Sequence, residues 1–589
     1  MKFTRSLPPW RHYVPIVDTL AHYKRRDLGG DVMAGVMVGV VTVPQAIAYA
    51  FLAGLPAEAG LYASLVPPLI YALFGSSPML SVGPVAVVAI MVAEAARTHA
   101  VPFTEAYLAV TATISLQTGI ALWLLRMSQM GGIVNLLSHP VISGFINAAA
   151  IMIILSQLPA LTGIPGAEGG PFRQAEHLLA DIGSVNPVAL TIGIASMAVL
   201  GIVRRYGFYA ARPFLRRVGR NHAVTRSGPL LVAIIAIVAV TLLHLDRRYG
   251  IATVGVIPAG LPKLGLPSFD FALWMDLIPA SAMIALVAYV QSFSIATQLA
   301  QRKHERVSPN QELIALGAAD IGAAFTNGMP IAGSMTRSTG GGRTRLTGVF
   351  GLLFVAIILL WGTPLFGALP HAALAAIIIV SVADFIDFDP IYRYWKFYRH
   401  DSITHVVALL GVLAFGVERG LLIGMLVAVA LLIRRSSRPH IAVVGRVGDS
   451  PHFRSERRHQ VVTDPHVMVI RIDENLYFAN ANLVEERLLR LVARNANIHH
   501  LVLVCSAINF IDTSGLRMLE RLDHALSRRN VDIHLSDVKG PVMDQLVAAN
   551  FPKRLSGEIF FSADQALRTL TGPEPVGSTD GERSPTAAP

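Results

Sequence analysis

The sequence predicts an α-helical membrane protein of fourteen segments in a seven-plus-seven inverted repeat, followed by a small soluble α/β domain. Three observations carry this. Only 15% of the 589 residues are charged and 53% are apolar, against about 25% charged in ordinary soluble domains. Apolar stretches long enough to cross, or partly cross, a bilayer recur from residue 31 to about 435. Beyond 435 the pattern changes to short β-rich runs alternating with amphipathic helices.

Residues 1–30 carry Lys2, Arg5, Arg11, Lys24, Arg25 and Arg26, which marks the N-terminus as cytoplasmic. No cleavable signal pattern follows, so the first apolar stretch is expected to be retained as a span. The segments run 31–53, 56–74, 81–96, 104–125, 139–161, 185–203, 227–245, 273–298, 311–326, 334–342, 346–366, 368–386, 401–416 and 419–435. The third and tenth are too short to span alone. The net charge of +11 tests the count through its distribution. Loops assigned to the inside hold sixteen basic residues, such as Arg204, Arg205, Arg302 and Arg393, and the outside loops hold six. That asymmetry places both ends of the membrane region inside.

The repeat is visible in spacing. Val43-Pro44-Gln45-Ala46 in the first segment and Tyr289-Val290-Gln291-Ser292 in the eighth precede two similar interruptions. These lead to Ser81, 36 residues after Gln45, and to Ser334, 43 residues after Gln291. Each half has an odd number of segments, so the halves run in opposite senses. Short, Gly/Pro-interrupted segments at matching places in inverted halves point to a transporter's midplane site.

The stretch 325–345 (FTNGMPIAGSMTRSTGGGRTR) is the sharper of the two interruptions. Irregular backbone at membrane depth is tolerated where it is buried in protein or lines a wet cavity. A helix starting there would aim N–H groups at the cavity, an end that favours anions. Ser334, Thr336 and Ser338 add hydroxyls and Arg337 a fixed positive charge. Arg343 and Arg345 read instead as topology charges at the inner surface.

Residues 436–460 read as a basic linker and 461–572 as the soluble domain. Its expected strands are Val467–Ile472, Leu476–Ala479, Leu501–Cys505 and Val531–Leu535; its helices are Leu483–Arg494, Ser514–Ser527 and Pro541–Ala549. Residues 573–589 have the composition of a disordered tail. The single cysteine, Cys505, excludes an intramolecular disulfide framework and reads as a small core residue.

At these motifs the chain resembles the sulfate permease (SulP) family of anion transporters. The first half offers VPQAIAYAFLAGLPAEAGLYAS (43–64), SVGPVAVVA (81–89) and SHPVISGF (138–145). The second offers PNQELIALG (309–317), GSMTRS (333–338) and LPHAALAAIIIV (369–380), and NFIDTSGL (509–516) resembles a STAS domain. The resemblance implies core and gate domains, with repeats at about 31–245 and 273–435, and half-helices of the third and tenth spans facing each other across the substrate. Carried over by motif, the substrate site comprises Gln45 and Tyr49, then Ser81, Val82, Gly83 and Val85, then Gln291, and then Ser334, Thr336 and Arg337. Taken singly, Gln45 and Gln291 are equally well read as packing glutamines and Tyr49 as a core aromatic. Gly83, Pro84 and Gly333 are expected to shape backbone.

Two departures from the family's pattern matter. Many bacterial members carry an acidic residue where this chain has the neutral Gln291, which puts sodium coupling there in doubt. Asp320 in the ninth segment becomes the candidate coupling group, since an intramembrane carboxylate is costly. The second departure is the shortened run 337–348, which bears on the geometry after Arg337. In the soluble domain Thr513 occupies the place of a phosphorylatable hydroxyl in regulatory STAS domains, although Asp512, Thr513 or Ser514 also serves as a plain helix N-cap.

The expected function is secondary active transport of a small inorganic oxyanion, sulfate first, by an elevator-like alternating-access mechanism across the inner (plasma) membrane. Bicarbonate, a small dicarboxylate, or passive anion conduction are the alternatives. The Arg337 field disfavours a neutral nucleobase. No Walker A run, zinc-ligand spacing or nucleophile elbow appears, so an enzyme, a metal and a cofactor are not expected. The family also suggests a homodimer and a regulatory partner for the STAS domain.

Overall fold

The structure is a computed structural model that describes residues 14–21, 23–128, 138–164, 171–210, 228–301, 306–334, 344 and 346–572. The described chain divides into two compact units between Ala428 and Val429.

In the first unit α1 (Arg25–Leu52) crosses first, with Pro44 inside it. Proline removes one helical hydrogen bond and crowds the preceding turn, so the unbroken helix lacks one backbone bond at the residue before Gln45. α2 (Ala57–Ala63) and α3 (Val66–Phe74) follow; Pro67 at the start of α3 suits a first helical turn. The extended β1 (Ser81–Gly83) leads into the short α4 (Ala86–Ala96). α5 (Glu105–Met127), α6 (His139–Thr162), α7 (Pro187–Ala210) and α8 (Gly228–Leu243) complete the first half.

The second half repeats this order. α9 (Phe271–Gln301) is followed by α10 (Pro309–Ala324) and by the extended β2 (Ala332–Ser334). The tenth segment beyond Ser334 lies outside the described residues. α11 (Leu346–Ile357) continues through a π-turn at Ile358–Gly362 to Phe366. Then come α12 (His371–Ala383), the amphipathic α13 (Asp389–Phe397), α14 (Arg399–Phe415) and α15 (Val417–Ser436). Among the described residues seven helical stretches, α2 and α3 taken together as one, are long and apolar enough to cross a membrane, while α4, α8 and α12 are apolar but shorter.

Packing follows the repeat. Exchanging each first-half element for its second-half counterpart turns the α1–α11 pair into α9–α5, and α6–α14 into α12–α7; all four pairs are in contact. The α3–α10, α6–α12 and β1–β2 pairs map onto themselves and are also in contact. The outer faces of α7, α8 and α11 leave Ile194, Ile202, Ile234, Ile235, Leu353 and Trp361 exposed. Apolar surface of that kind is ordinary where the solvent is lipid.

The second unit is a six-stranded sheet with helices on its faces. β3 (Ile441–Arg446) pairs antiparallel with β4 (Phe453–Ser455) and β5 (Val467–Ile472). β5, β6 (His500–Val504), β7 (Asp532–Ser536) and β8 (Ile559–Phe560) are parallel neighbours in that order. α16 (Ala481–Ala493), α17 (Thr513–Ser527), α18 (Gly540–Ala548) and α19 (Ala563–Thr571) complete it. Two expectations are corrected. Ile441–Arg446, read as linker, is a sheet strand, because its IAVV run buries three of its four side chains. Leu476–Ala479, read as a strand, makes only an isolated bridge from Leu476 to Ile511. Asn480 caps that segment into a turn by accepting from the Tyr477 amide at 3.1 Å. Cys505 is a free, buried thiol, and burial pushes its pKa up to about 12.

Candidate anion site

The two interruptions meet. β1 and β2 form a two-stranded antiparallel ladder that pairs Ser81 with Ser334, Val82 with Gly333 and Gly83 with Ala332. Directly opposite residues share one face of such a ladder, with Cβ atoms about 5 Å apart. The Ser81 and Ser334 side chains, 253 positions apart in sequence, are thus brought to one place. Both are half-buried.

The ladder stands beside the start of α4. Val85 is its N-cap, with extended backbone (φ −135°, ψ 148°) and no side-chain cap. Among the described residues no side chain caps the first-turn N–H groups of α4, and such an end attracts an anion. A Cβ at Gly83 would meet no atom of the described residues within 4 Å, so it has room there. Gly333 is the opposite case: a Cβ would come within 2.9 Å of Leu80 Cδ1 and of the Ser292 Cα. Glycine at 83 leaves room, and glycine at 333 permits close packing.

α9 supplies the supports. The Gly333 N–H donates to Ser292 Oγ at 2.7 Å, and Gln291 Nε2 reaches the Gly333 carbonyl at 3.5 Å. Gln291 thus touches the ladder's backbone in this conformation. Gln45 and Tyr49 lie half-buried on α1, and Val82 and Val85 are buried. Thr336 and Arg337 lie outside the described residues. Asp320 on α10 is fully buried and accepts the Ile331 N–H on Oδ1 at 2.9 Å.

Three polar residues of the membrane unit were not anticipated in their roles. Ser292 reads in the sequence as the neighbour of Gln291, with nothing to mark it as an acceptor for a backbone amide 41 positions on. Glu312 is buried and accepts from Tyr71 Oη (2.9 Å), the Ser76 N–H (2.9 Å), Ser76 Oγ (2.6 Å) and the Ser77 N–H (3.2 Å), which pins the loop that precedes β1. Asp31 is buried and accepts from Thr344 Oγ1 (2.6 Å) and Thr347 Oγ1 (2.8 Å), tying α1 to the start of α11. The signal available for the two acids was their presence in apolar segments. Glu94 is exposed but accepts the Val417 N–H at the start of α15.

In the second unit Thr513 is exposed at the first position of α17. Asp512 is the N-cap there, accepting the Gly515 N–H at 2.8 Å and the Phe478 N–H at 2.9 Å. No group of His, Cys, Asp and Glu able to hold a metal occurs among the described residues.

The sulfate permease family matches residues 28–408, and the STAS domain matches 458–567. A probable sulfate transporter of Mycobacterium tuberculosis (strain CDC 1551 / Oshkosh) is 32% identical over 566 residues, covering 94% of this chain and 98% of the relative. The probable sulfate transporter 4.2 of Arabidopsis thaliana is 32% identical over 548 residues, covering 90% and 79%. Among solved structures, the murine Slc26a9 anion transporter in its inward-facing state superimposes with a TM-score of 0.87 at 22% identity, covering 97% of this chain and 96% of that one. The transmembrane domain of the cyanobacterial bicarbonate transporter BicA gives 0.57 at 22% identity, covering 69% and 98%. These likenesses at low identity speak for the fold, a helical membrane domain followed by an α/β domain. Together with the family match they make the chain a multi-pass membrane transporter and not an enzyme: it belongs to the sulfate permease family of anion transporters and carries a C-terminal STAS domain.

Proposed function

We propose that the chain carries sulfate by secondary active transport, moving a core domain against a gate domain in an elevator-like cycle. The carrying observation is the Ser81–Ser334 pair beside the uncapped start of α4. Two hydroxyls and a turn of free N–H groups offer donors to a tetrahedral oxyanion, and donors without acceptors favour the charged form. Gln45, Tyr49, Val82, Gly83, Val85 and Gln291 would line the same pocket, with Thr336 and Arg337 completing it from the tenth segment. A fixed guanidinium supplies the balancing charge that a dianion needs. The relatives named as sulfate transporters support sulfate over bicarbonate.

In this reading residues 31–435 form the transport domain and 461–572 the core of the STAS domain. Both termini lie on the cytoplasmic side of the inner membrane, and two copies associate as a homodimer. Thr513, exposed at a helix N-terminus, is the candidate place for regulatory phosphorylation.

Sulfate binding by Arg337→Ala tests the assignment. Charge-assisted hydrogen bonds are worth about 1.5–3 kcal/mol, so affinity should fall roughly ten- to hundredfold. Lysine should restore only part of it, and Arg345→Ala should change little. Equal losses from the two alanine variants would place the anion elsewhere.

A further inference from the structure

Asp320 is the one fully buried carboxylate of the described membrane helices with an oxygen that has no hydrogen-bond partner. Its Oδ1 accepts the Ile331 N–H at 2.9 Å, and its Oδ2 has no hydrogen-bond partner among the described residues. No described cation forms an ion pair with it. The other two buried acids of this unit are saturated: Glu312 by Tyr71, Ser76 and Ser77, and Asp31 by Thr344 and Thr347. A buried carboxylate with neither counter-ion nor full hydrogen bonding is costly when charged, and that cost is relieved by a proton.

Its connection is specific. Ile331 stands one residue before β2, whose last residue is Ser334, so the amide held by Asp320 belongs to the same extended segment as the anion ligand. Three residues of extended chain span about 10 Å. At that range a negative charge on Asp320 opposes a second anion, and a proton on Oδ2 removes the opposition. The groups on the elements packed against α10 are otherwise engaged or distant. Tyr71 of α3 donates to Glu312, Tyr289 of α9 donates to the Pro309 carbonyl, and Tyr107 of α5 donates to the Ala53 carbonyl. Glu105 and Asp276 are exposed near helix ends. Arg126 lies at the C-terminal end of α5, which runs antiparallel to α10, as the Gly119–Ile321 and Trp123–Ile314 contacts require, and so stands at the end of α10 away from Asp320.

We propose that Asp320 is the proton-coupling group of this transporter, taking a proton on Oδ2 from the aqueous side to which the site is open and releasing it on the other side with the anion. Gln291 on α9 has no titratable proton, and Asp320, held to the neighbouring segment, does that work from α10. The inference rests on the anion-transport reading. It adds that the co-transported ion is H⁺ and that proton and oxyanion bind together.

The test uses the full chain in proteoliposomes with labelled sulfate. Sulfate counterflow without a pH gradient examines the transport reading alone; its absence in wild type would sink that reading. With counterflow present, an imposed inward proton gradient should drive accumulation in wild type. Asp320→Asn keeps an acceptor for the Ile331 N–H and cannot titrate. It should retain counterflow and lose gradient-driven accumulation by about tenfold, within the usual span of coupling between two ligands. Gradient-driven accumulation that survives in Asp320→Asn overturns the assignment, as does wild type that exchanges sulfate but ignores the gradient. Infrared spectroscopy of the protonated carboxyl needs neither substrate nor a transport-competent variant. A carboxylic C=O band present in acidic buffer, lost in alkaline buffer and missing from Asp320→Asn is the expected result. A band that never titrates would make Asp320 a permanently neutral structural acid.

Discussion

Ser81 and Ser334 face each other across a three-residue antiparallel ladder although 253 positions separate them. The pairing is made by backbone, so removing one hydroxyl leaves the ladder standing. Ser81→Ala and Ser334→Ala should each weaken sulfate binding by about fivefold, the worth of one hydrogen bond near 1 kcal/mol. If both hydroxyls hold the same anion, their effects should couple in the double variant. Strict additivity in calorimetric titrations would mean that the two serines do not share a ligand.

The loop before β1 owes its position to Glu312. Glu312→Ala leaves the Tyr71 hydroxyl and the Ser76 and Ser77 amides without their acceptor. Buried donors left unpaired cost about 1–3 kcal/mol each before relaxation, so the variant should melt well below wild type in detergent. It should also bind sulfate more weakly, because Ser81 lies only four residues after Ser77 of the released loop. Glu312→Gln, which keeps one acceptor oxygen, should be intermediate. Wild-type melting of the alanine variant would mean that water replaces the carboxylate, and the loop's anchor would then lie elsewhere.

The membrane elements were legible because lipid imposes a length and a composition on every span. The ladder that carries the proposed site was legible where backbone chemistry shows in the letters: Gly83, Pro84 and Gly333 interrupt apolar runs at matching places. The α2–α3 break, at Ser64 and Leu65, merged into a single expected segment because both pieces are apolar. Ser292 and Glu312 remained hidden as supports, since the partners of Glu312 lie 235–241 positions away and those of Ser292 are backbone amides and carbonyls. A backbone amide leaves no signature in the sequence. Ile441–Arg446 was misread for a related reason: its basic, proline-flanked surroundings resemble a linker, while its pairing with β5 is a tertiary event.

Gly60 and Ala46 give a sharper test of packing near Gln45. A Cβ on Gly60 would overlap the carbonyl oxygen of Ala46 and come within 2.9 Å of the Ala50 Cβ. α2 therefore approaches α1 closely only because residue 60 is glycine. Gly60→Ala should cost about 1–3 kcal/mol through overpacking, despite the gain of roughly 1 kcal/mol in helix propensity. Sulfate affinity should fall with it, since Gln45 precedes the displaced carbonyl by one residue. Gly29→Ala on α1 is the control: a Cβ there meets nothing within 4 Å among the described residues, so it should be neutral or slightly stabilising. Equal melting shifts in the two variants would show that α1 and α2 can separate freely.

The STAS unit should lose stability in mild acid through His534. The ring is buried between β6 and β8; its Nδ1 accepts the Glu558 N–H at 3.0 Å, and its Nε2 lies 3.2 Å from His500 Nδ1. That pattern fixes a neutral ring with the proton on Nε2. Burial, and then the neighbouring His500, lower its pKa below that of an ordinary histidine. The unfolded chain, with a histidine pKa of about 6.5, therefore binds the proton more readily than the folded one. The stabilising contribution of the neutral ring is fully present above that pH and is lost as the pH falls through the folded-state value. Hydrogen exchange of the β7 amides in the full-length protein should report easier opening across that window. His534→Asn places an oxygen acceptor near the position of Nδ1 and does not titrate, so its opening energy should stay flat over the same range. A variant that retains the wild-type slope would assign the acid sensitivity to another group, with His500 the first to examine.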